Sequence, residues 1–299
     1  MAEKTVGLVP LSGEAKRRAH TPVITEALCI RLMFILATVL GLGVLVFLPL
    51  LLVFVEALRK GVAGYLAALS NEETWHAIKL SLLTTLIVVP ANTVFGLSAA
   101  WLLAKHRFWG RRLLSTIIDL PFSVSPVVSG LVFVLLFGAQ GILGPWLATN
   151  DIKIIFALPG IVLATAFVTF PFVAREVLPA LEASGNDEEE AALTLGAHGW
   201  TVFFRVTLPK IKWAVLYGVV LCTARSLGEF GAVSVVSGHI RGETNTMPLQ
   251  VEILYNEYDF TGAFSVASLL TLVAVVTLTT KKLLEWNQER LRNDSYTDR

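Results

Sequence analysis

Residues 182–210 read EASGNDEEEAALTLGAHGWTVFFRVTLPK, a polar and acidic island between long apolar stretches at about 154–178 and 213–237. A chain that is otherwise strongly apolar does not interpose so long a polar connection between membrane spans without a use for it. Asn186-Asp187-Glu188-Glu189-Glu190 has the composition of a helix start, with Asn186 or Asp187 as the cap. Its carboxylates fall in the first turn, where the helix dipole favours negative charge. Ala191, Ala192, Leu193 and Leu195 continue that helix, and Gly196 stops it at a sharp turn. A second short helix is expected next, with Trp200, Phe203, Phe204 and Leu208 making apolar contacts and Pro209 closing it. Two short helices at an angle make a compact knob that can dock in a groove of a soluble partner and pass rigid-body motion to the adjoining spans. A loop lying on lipid headgroups is the weaker reading, because anionic lipids attract basic segments and this one is acidic.

Working outward, 55% of the residues are hydrophobic and only 16% charged, with a mean hydropathy of +0.68. Soluble domains carry roughly 25% charged residues, so composition alone makes this a membrane protein. A bilayer core of about 30 Å needs about 20 apolar residues as helix. Six segments meet that length, at about 31–57, 79–104, 113–138, 154–178, 213–237 and 262–281. The expected fold is therefore all-α and polytopic, with six transmembrane helices over 31–281 and polar tails at 1–30 and 282–299. Pro121, Pro126, Pro159 and Pro171 are expected to kink the third and fourth spans without ending them. The first apolar stretch begins too late and runs too long for a cleaved leader, so it reads as a retained span. For the segment 58–78 an interfacial helix and an ordinary loop both remain open. Asn71-Glu72-Glu73 is suited to cap the helix that follows.

Lysine and arginine placement sets the orientation. One side receives Lys105, Arg107, Arg111, Arg112, Arg175, Arg205, Lys210, Lys212, Lys281, Lys282 and the basic residues of both tails. The other receives only Arg59, Lys60, Lys79, Lys153 and Arg241. Both termini and the 182–210 segment are thus expected in the cytoplasm. A net charge of +1 offers no general attraction to nucleic acid. Cys29 and Cys222 make no disulfide framework, and the five histidines show no metal-ligand spacing. No Gly-x-x-x-x-Gly-Lys-Ser/Thr occurs, so no phosphate-cradling loop lies in this chain and nucleotide would have to act from another one.

Two further groups stand out inside the spans. Arg225 and Glu229 lie four residues apart in the fifth span, and a charge at membrane depth costs at least about 2.5–3.5 kcal/mol on insertion scales. Either the two pair and hold the bundle together, or Arg225 supplies positive potential along an anion path while Glu229 tempers it. Ser123, Ser125 and Ser129 place hydroxyls in the third span, where they line a path or serve as small packing residues. After the fifth span, His239 and Arg241 sit in a glycine-rich turn that either meets an incoming anion or is simply solvated.

The spacing of Glu190-Ala191-Ala192, Gly196 and Leu208-Pro209 resembles the EAA loop of permease subunits in bacterial ABC importers. Arg225-Ser226-Leu227-Gly228-Glu229-Phe230-Gly231-Ala232-Val233 resembles the signature of their oxyanion branch, as does Thr169 to Glu176. The run Val236 to Leu249 with Val251 to Tyr258 is similar to the W-type permease subunits of sulfate/thiosulfate importers, and the resemblance covers roughly residues 30–285. It implies a type I importer fold of the MetI-like kind, in a heterodimer with a sister permease. It also implies two cytoplasmic ATPase subunits, which would bind ATP-Mg, and a periplasmic sulfate/thiosulfate-binding protein. The chain itself would need no cofactor and catalyse nothing. Glu190, Ala191, Ala192, Gly196, Leu208 and Pro209 carry over as the ATPase-coupling residues. A molybdate or tungstate permease, working as a homodimer, is the alternative. An intramembrane enzyme is disfavoured for want of a nucleophile–base pair or metal cluster, and a secondary transporter for want of ion-coupling carboxylates beyond Glu229.

Overall fold

A computed structural model describes residues 28–297, which divide into two units at Pro49/Leu50. Residues 28–49 are helical throughout and open the apolar helix α1 (Leu28–Ala57), whose length and hydropathy suit a membrane span. Among the described residues all regular structure is helical, as expected.

The segment left open between helix and loop is a helix, α2 (Gly61–Leu69). Asn71 then caps α3 (Glu72–Lys105), its Oδ1 accepting the Glu73 N–H at 2.9 Å, which satisfies one of the orphan donors of the first turn. The core is built from α3, α7 (Leu158–Ala183) and α10 (Leu208–Leu227). In a membrane, where lipid is as apolar as leucine, close backbone approach replaces the hydrophobic drive between helices. Val173 of α7 supplies it here, lying against Gly96 of α3 and Gly218 of α10. A Cβ at Gly218 would come within 2.9 Å of the Val173 Cα, a backbone atom that cannot step aside. Polar glue adds to this: the buried Asn92 amide donates to Ala166 O at 3.0 Å and Thr169 Oγ1 at 2.8 Å across α3 and α7. Cys222 is fully buried in the same cluster and acts as a small apolar residue, while the side chain of Cys29 lies outside the described residues. Replacing Gly218 by valine should force α7 and α10 apart, at about 1–3 kcal/mol for overpacking. A lowered melting temperature of the detergent-purified protein would report it; an unchanged one would mean that the helices do not pack this closely.

Two expected spans are broken rather than kinked or continuous. The third expected span, 113–138, is α4 (Arg111–Ser123) and α5 (Pro126–Phe137), which meet at 108°. Val124 is extended at the junction and Pro126 occupies the first turn of α5, where its missing N–H costs nothing and where the residue before it is driven out of helical geometry. Only Pro126 acts this way. Pro159 sits at the start of α7, and α7 runs on through Pro171. The fifth expected span, 213–237, stops at Leu227, and a separate short helix α11 (Gly231–Ser237) follows the break at 228–230. The α11 residues Ala232, Val233 and Val236 pack in one apolar cluster with Phe133, Val134 and Phe137 of α5. The two broken segments therefore lie against each other. Short helices α6 (Gly144–Thr149) and α12 (Met247–Asn256) follow α5 and α11 in the chain. A final long helix, α13 (Phe260–Thr297), contains the last span and is tied to α2 by the Tyr65 and Ser268 hydroxyls at 3.1 Å.

Candidate functional site

The island at 182–210 folds nearly as its composition dictates. The helix α8 (Asp187–Thr194) carries Asp187, Glu188, Glu189 and Glu190 in its first turn. It ends in a Schellman arrangement: Gly196 N–H donates to Leu193 O at 2.9 Å and Ala197 N–H to Ala192 O at 3.0 Å. Gly196 has φ +84°, a conformation that costs a residue with a Cβ roughly 1–2 kcal/mol. Glu190 and Ala191 are exposed, as are Leu193, Leu195 and Trp200 at 53%, 88% and 69% of their surface. An apolar and acidic face is therefore presented together at one end of the bundle.

Pro209 does not close a second short helix. The chain is helical from α9 (Gly199–Val202) through a π-turn (Phe203–Thr207) into α10, and Pro209 lies in the first turn of α10. The Leu208 N–H reaches back to Phe203 O, one residue further than in an α-helix. That wider turn accommodates a proline ring, which would otherwise clash with the carbonyl four residues earlier. The consequence is mechanical: α9, the second half of the knob, is continuous with a membrane helix rather than hinged from it at Pro209. Phe203 packs edge-on to Trp101 of α3 with centroids 6.5 Å apart, and the flanking apolar cleft of about 800 Å³ includes Leu97, Trp200 and Phe204.

What fastens α8 was not visible in the sequence. Lys105, the last residue of α3, sends its ammonium to Gly185 O at 2.8 Å, Asn186 Oδ1 at 2.8 Å and Glu189 Oε1 at 3.0 Å. All three donors are thereby used. Asn186 thus spends its side chain on Lys105 and makes no capping bond to α8. Glu189 Oε1 also accepts from the buried Thr207 hydroxyl at 2.8 Å. The Lys105 and Glu189 side chains are only 7% and 15% exposed, so removing one partner would cost about 3–5 kcal/mol. Lys210 pairs with Glu188 at 2.9 Å, but Glu188 is 66% exposed and such a bridge contributes only about 0.2–1 kcal/mol. Read along the chain, Lys105 and Lys210 are merely orientation charges; no local pattern joins them to α8.

The second group of expected residues is brought together only in part. Arg225 Nη2 lies 2.7 Å from Glu229 Oε2, with Glu229 sealed and the Arg225 side chain one-third exposed. Glu229 sits past the end of α10, not on its face, and its Oε1 accepts the Ala232 N–H at 2.9 Å, satisfying the first turn of α11. Ser123 and Ser125 are exposed on either side of the α4–α5 break, whereas Ser129 is buried and donates to Ser125 O at 3.2 Å. Of the glycine-rich turn, Arg241 is taken up by Glu257 and by Glu73 at 3.6 Å, and the Glu257 hydrogen bond, foremost, raises its already high pKa. His239 Nδ1 lies 3.9 Å from a carboxylate oxygen of Glu252. Among the described residues no cluster of His, Cys, Asp or Glu has the geometry to hold a metal ion.

Residues 92–293 match the model of the family described as binding-protein-dependent transport system inner membrane component. The chain belongs to this family. Such an inner membrane component is a multi-pass transport subunit, in keeping with the five long apolar helices and the bent α4–α5 pair. It is 51% identical, over 84% of its length and 89% of the relative's, to the sulfate transport system permease protein CysW of Escherichia coli (strain K12). It is 56% identical to the protein of that name from Synechococcus elongatus, over 83% and 87% of the two chains. The sulfate transport system permease protein CysT of Escherichia coli is 39% identical, over 77% and 83%. Among solved structures, a bacterial alginate ABC transporter in complex with an alginate pentasaccharide-bound periplasmic protein shares the fold of this inner membrane component. It has a TM-score of 0.71 over 88% of this chain and 95% of that one, at 16% identity.

Proposed function

We propose that this chain is one permease half of an ATP-driven importer that carries sulfate, and with it thiosulfate, across the inner membrane. The observation that carries the reading is the 51% and 56% identity to sulfate permeases over most of the chain. That stretch includes Arg225 to Val233 and the following loop, where cargo-specific residues are expected. The relatives named for sulfate give no support to molybdate or tungstate as cargo. The 39% identity to a second kind of sulfate permease supports a heterodimer of two related halves, and a periplasmic binding protein is the expected donor of the anion. Lysine and arginine asymmetry supports an orientation with both termini and α8 in the cytoplasm. There α8 would meet one of two ATPase subunits that bind ATP-Mg, while this chain remains non-catalytic and holds no cofactor.

In this reading Glu190, Ala191, Ala192 and Gly196 form the docking surface, and Leu208-Pro209 joins it to α10. Arg225, at the end of α10 with its side chain one-third exposed, supplies positive potential to the anion path, and the sealed Glu229 keeps that potential from becoming a trap. Ser123 and Ser125 offer hydroxyls along the same path. Proteoliposomes holding both permeases, the ATPase subunits and the binding protein should take up radiolabelled sulfate with ATP. Excess thiosulfate should compete and molybdate should not. Molybdate uptake without sulfate uptake would overturn the assignment.

A further inference from the structure

We propose that Lys105 is the joint through which movement of α8 reaches the membrane core. The inference rests on the reading of α8 as the ATPase-docking helix and assigns a positioning role to a residue that does not touch the ATPase or the anion. A docking helix on the surface of a bundle transmits force only if it is held rigidly to the helices that must move. Backbone continuity links α8 to α10 through the loop at Gly196, where φ is +84° and a Cβ would meet nothing within 4 Å. Such a turn joins the elements without bracing them. The bracing comes from Lys105.

Its ammonium binds three acceptors spread over the approach to α8 and its first turn: Gly185 O, Asn186 Oδ1 and Glu189 Oε1, at 2.8, 2.8 and 3.0 Å. With three directed bonds from one nitrogen, α8 can neither slide along nor rotate about the end of α3 without breaking one of them. Glu189 Oε1 also accepts from Thr207 in the π-turn that leads into α10, so the same carboxylate ties the first turn of α8 to both α3 and α10. Those two helices are joined again farther along, where Thr85 in the body of α3 and Ser226 near the end of α10 share a hydrogen bond at 3.2 Å between buried hydroxyls. Ser226 stands next to Arg225, and its carbonyl accepts the Glu229 N–H at 3.3 Å. A displacement of α8 is thus shared by α3 and by α10, whose last turn carries Arg225 and leads into Glu229. The charged group facing Lys105 from α8 is acidic, and the Lys105 and Glu189 side chains are largely covered.

The test is Lys105→Met in the complete reconstituted importer, comparing sulfate transported with ATP hydrolysed. A joint that transmits force predicts that the ATPase subunit still co-purifies and still hydrolyses ATP, while sulfate moved per ATP falls at least tenfold. A residue that only stabilises the fold would lower transport and hydrolysis together, with their ratio unchanged; that result overturns the proposal. Loss of ATPase binding in Lys105→Met would overturn it too, because the bonds would then shape the docking surface instead of transmitting its motion. Should Lys105→Met fail to accumulate, Lys105→Met/Glu189→Met carries the same test, since it leaves no unpaired buried charge. Failure of the underlying reading is distinct: it would show as an ATPase that binds normally to Glu190→Lys with Lys105 intact.

Discussion

Glu190→Lys is expected to abolish sulfate transport and to weaken association with the ATPase subunit by at least thirtyfold, while the protein reaches the membrane in normal amounts. The asymmetry follows from where the residue sits. Glu190 is exposed and has no ion-pair partner among the described residues, so its reversal breaks nothing inside the chain. Within α8 the change loses only a dipole interaction of about 0.3–1 kcal/mol. At a docking surface the same change sets a cation where the partner is shaped for an anion, and like-charge juxtaposition there costs several kcal/mol. Two kcal/mol already corresponds to about thirtyfold in affinity. Gly196→Leu should act through shape: its φ of +84° would be strained by a side chain, and the Schellman turn that directs Leu195 and Ala197 would open. Co-purification of the ATPase with each variant, against a membrane-fraction immunoblot, separates docking from folding. Normal ATPase binding by both variants would remove α8 from the coupling role.

Arg225→Met should eliminate transport but, alone, cannot say why. Glu229 is 2% exposed and would be left without its counter-charge, at about 3–5 kcal/mol, so abundance should fall as well. The informative variant is Arg225→Met/Glu229→Gln. A glutamine carbonyl can still accept the Ala232 N–H that holds the first turn of α11, and no buried charge remains. Abundance should then return to near the parental amount while sulfate flux per molecule stays at least tenfold low, because the partly exposed Arg225 side chain and its charge are gone from the path. Flux that recovers along with abundance would assign the pair to structure alone.

The sequence made the spans legible because hydropathy over about 20 residues is a strong signal, and it made α8 legible because caps, dipole-favoured acids and a stop glycine all coincide over Asn186 to Gly196. It hid the breaks at 124–125 and 228–230. An averaged window passes over two or three residues, and Val124 and Phe230 keep each break apolar enough to blend into the span. Local chemistry still marked both: Ser125-Pro126 has the form of a helix start inside an apolar run, and Gly228 and Gly231 bracket an acid that turns back to cap. The bracing of α8 by Lys105 left no mark at all. A lysine at the end of one helix and a glutamate at the start of another, widely separated in the chain, show no relation until the bundle closes. Pro209 misled for the opposite reason. Its local rule, that proline ends a helix, was overridden when the preceding turn widened to take the ring.

In the proposed function an ATPase acting on α8 drives this chain to move sulfate. The most direct measurement of this is the rate of ATP hydrolysis by the reconstituted importer, with and without the sulfate-loaded binding protein, for the parental chain and Glu190→Lys. Loaded binding protein should stimulate hydrolysis strongly in the parental complex and not at all in the variant. Equal stimulation in both, or stimulation by molybdate in place of sulfate, would contradict it.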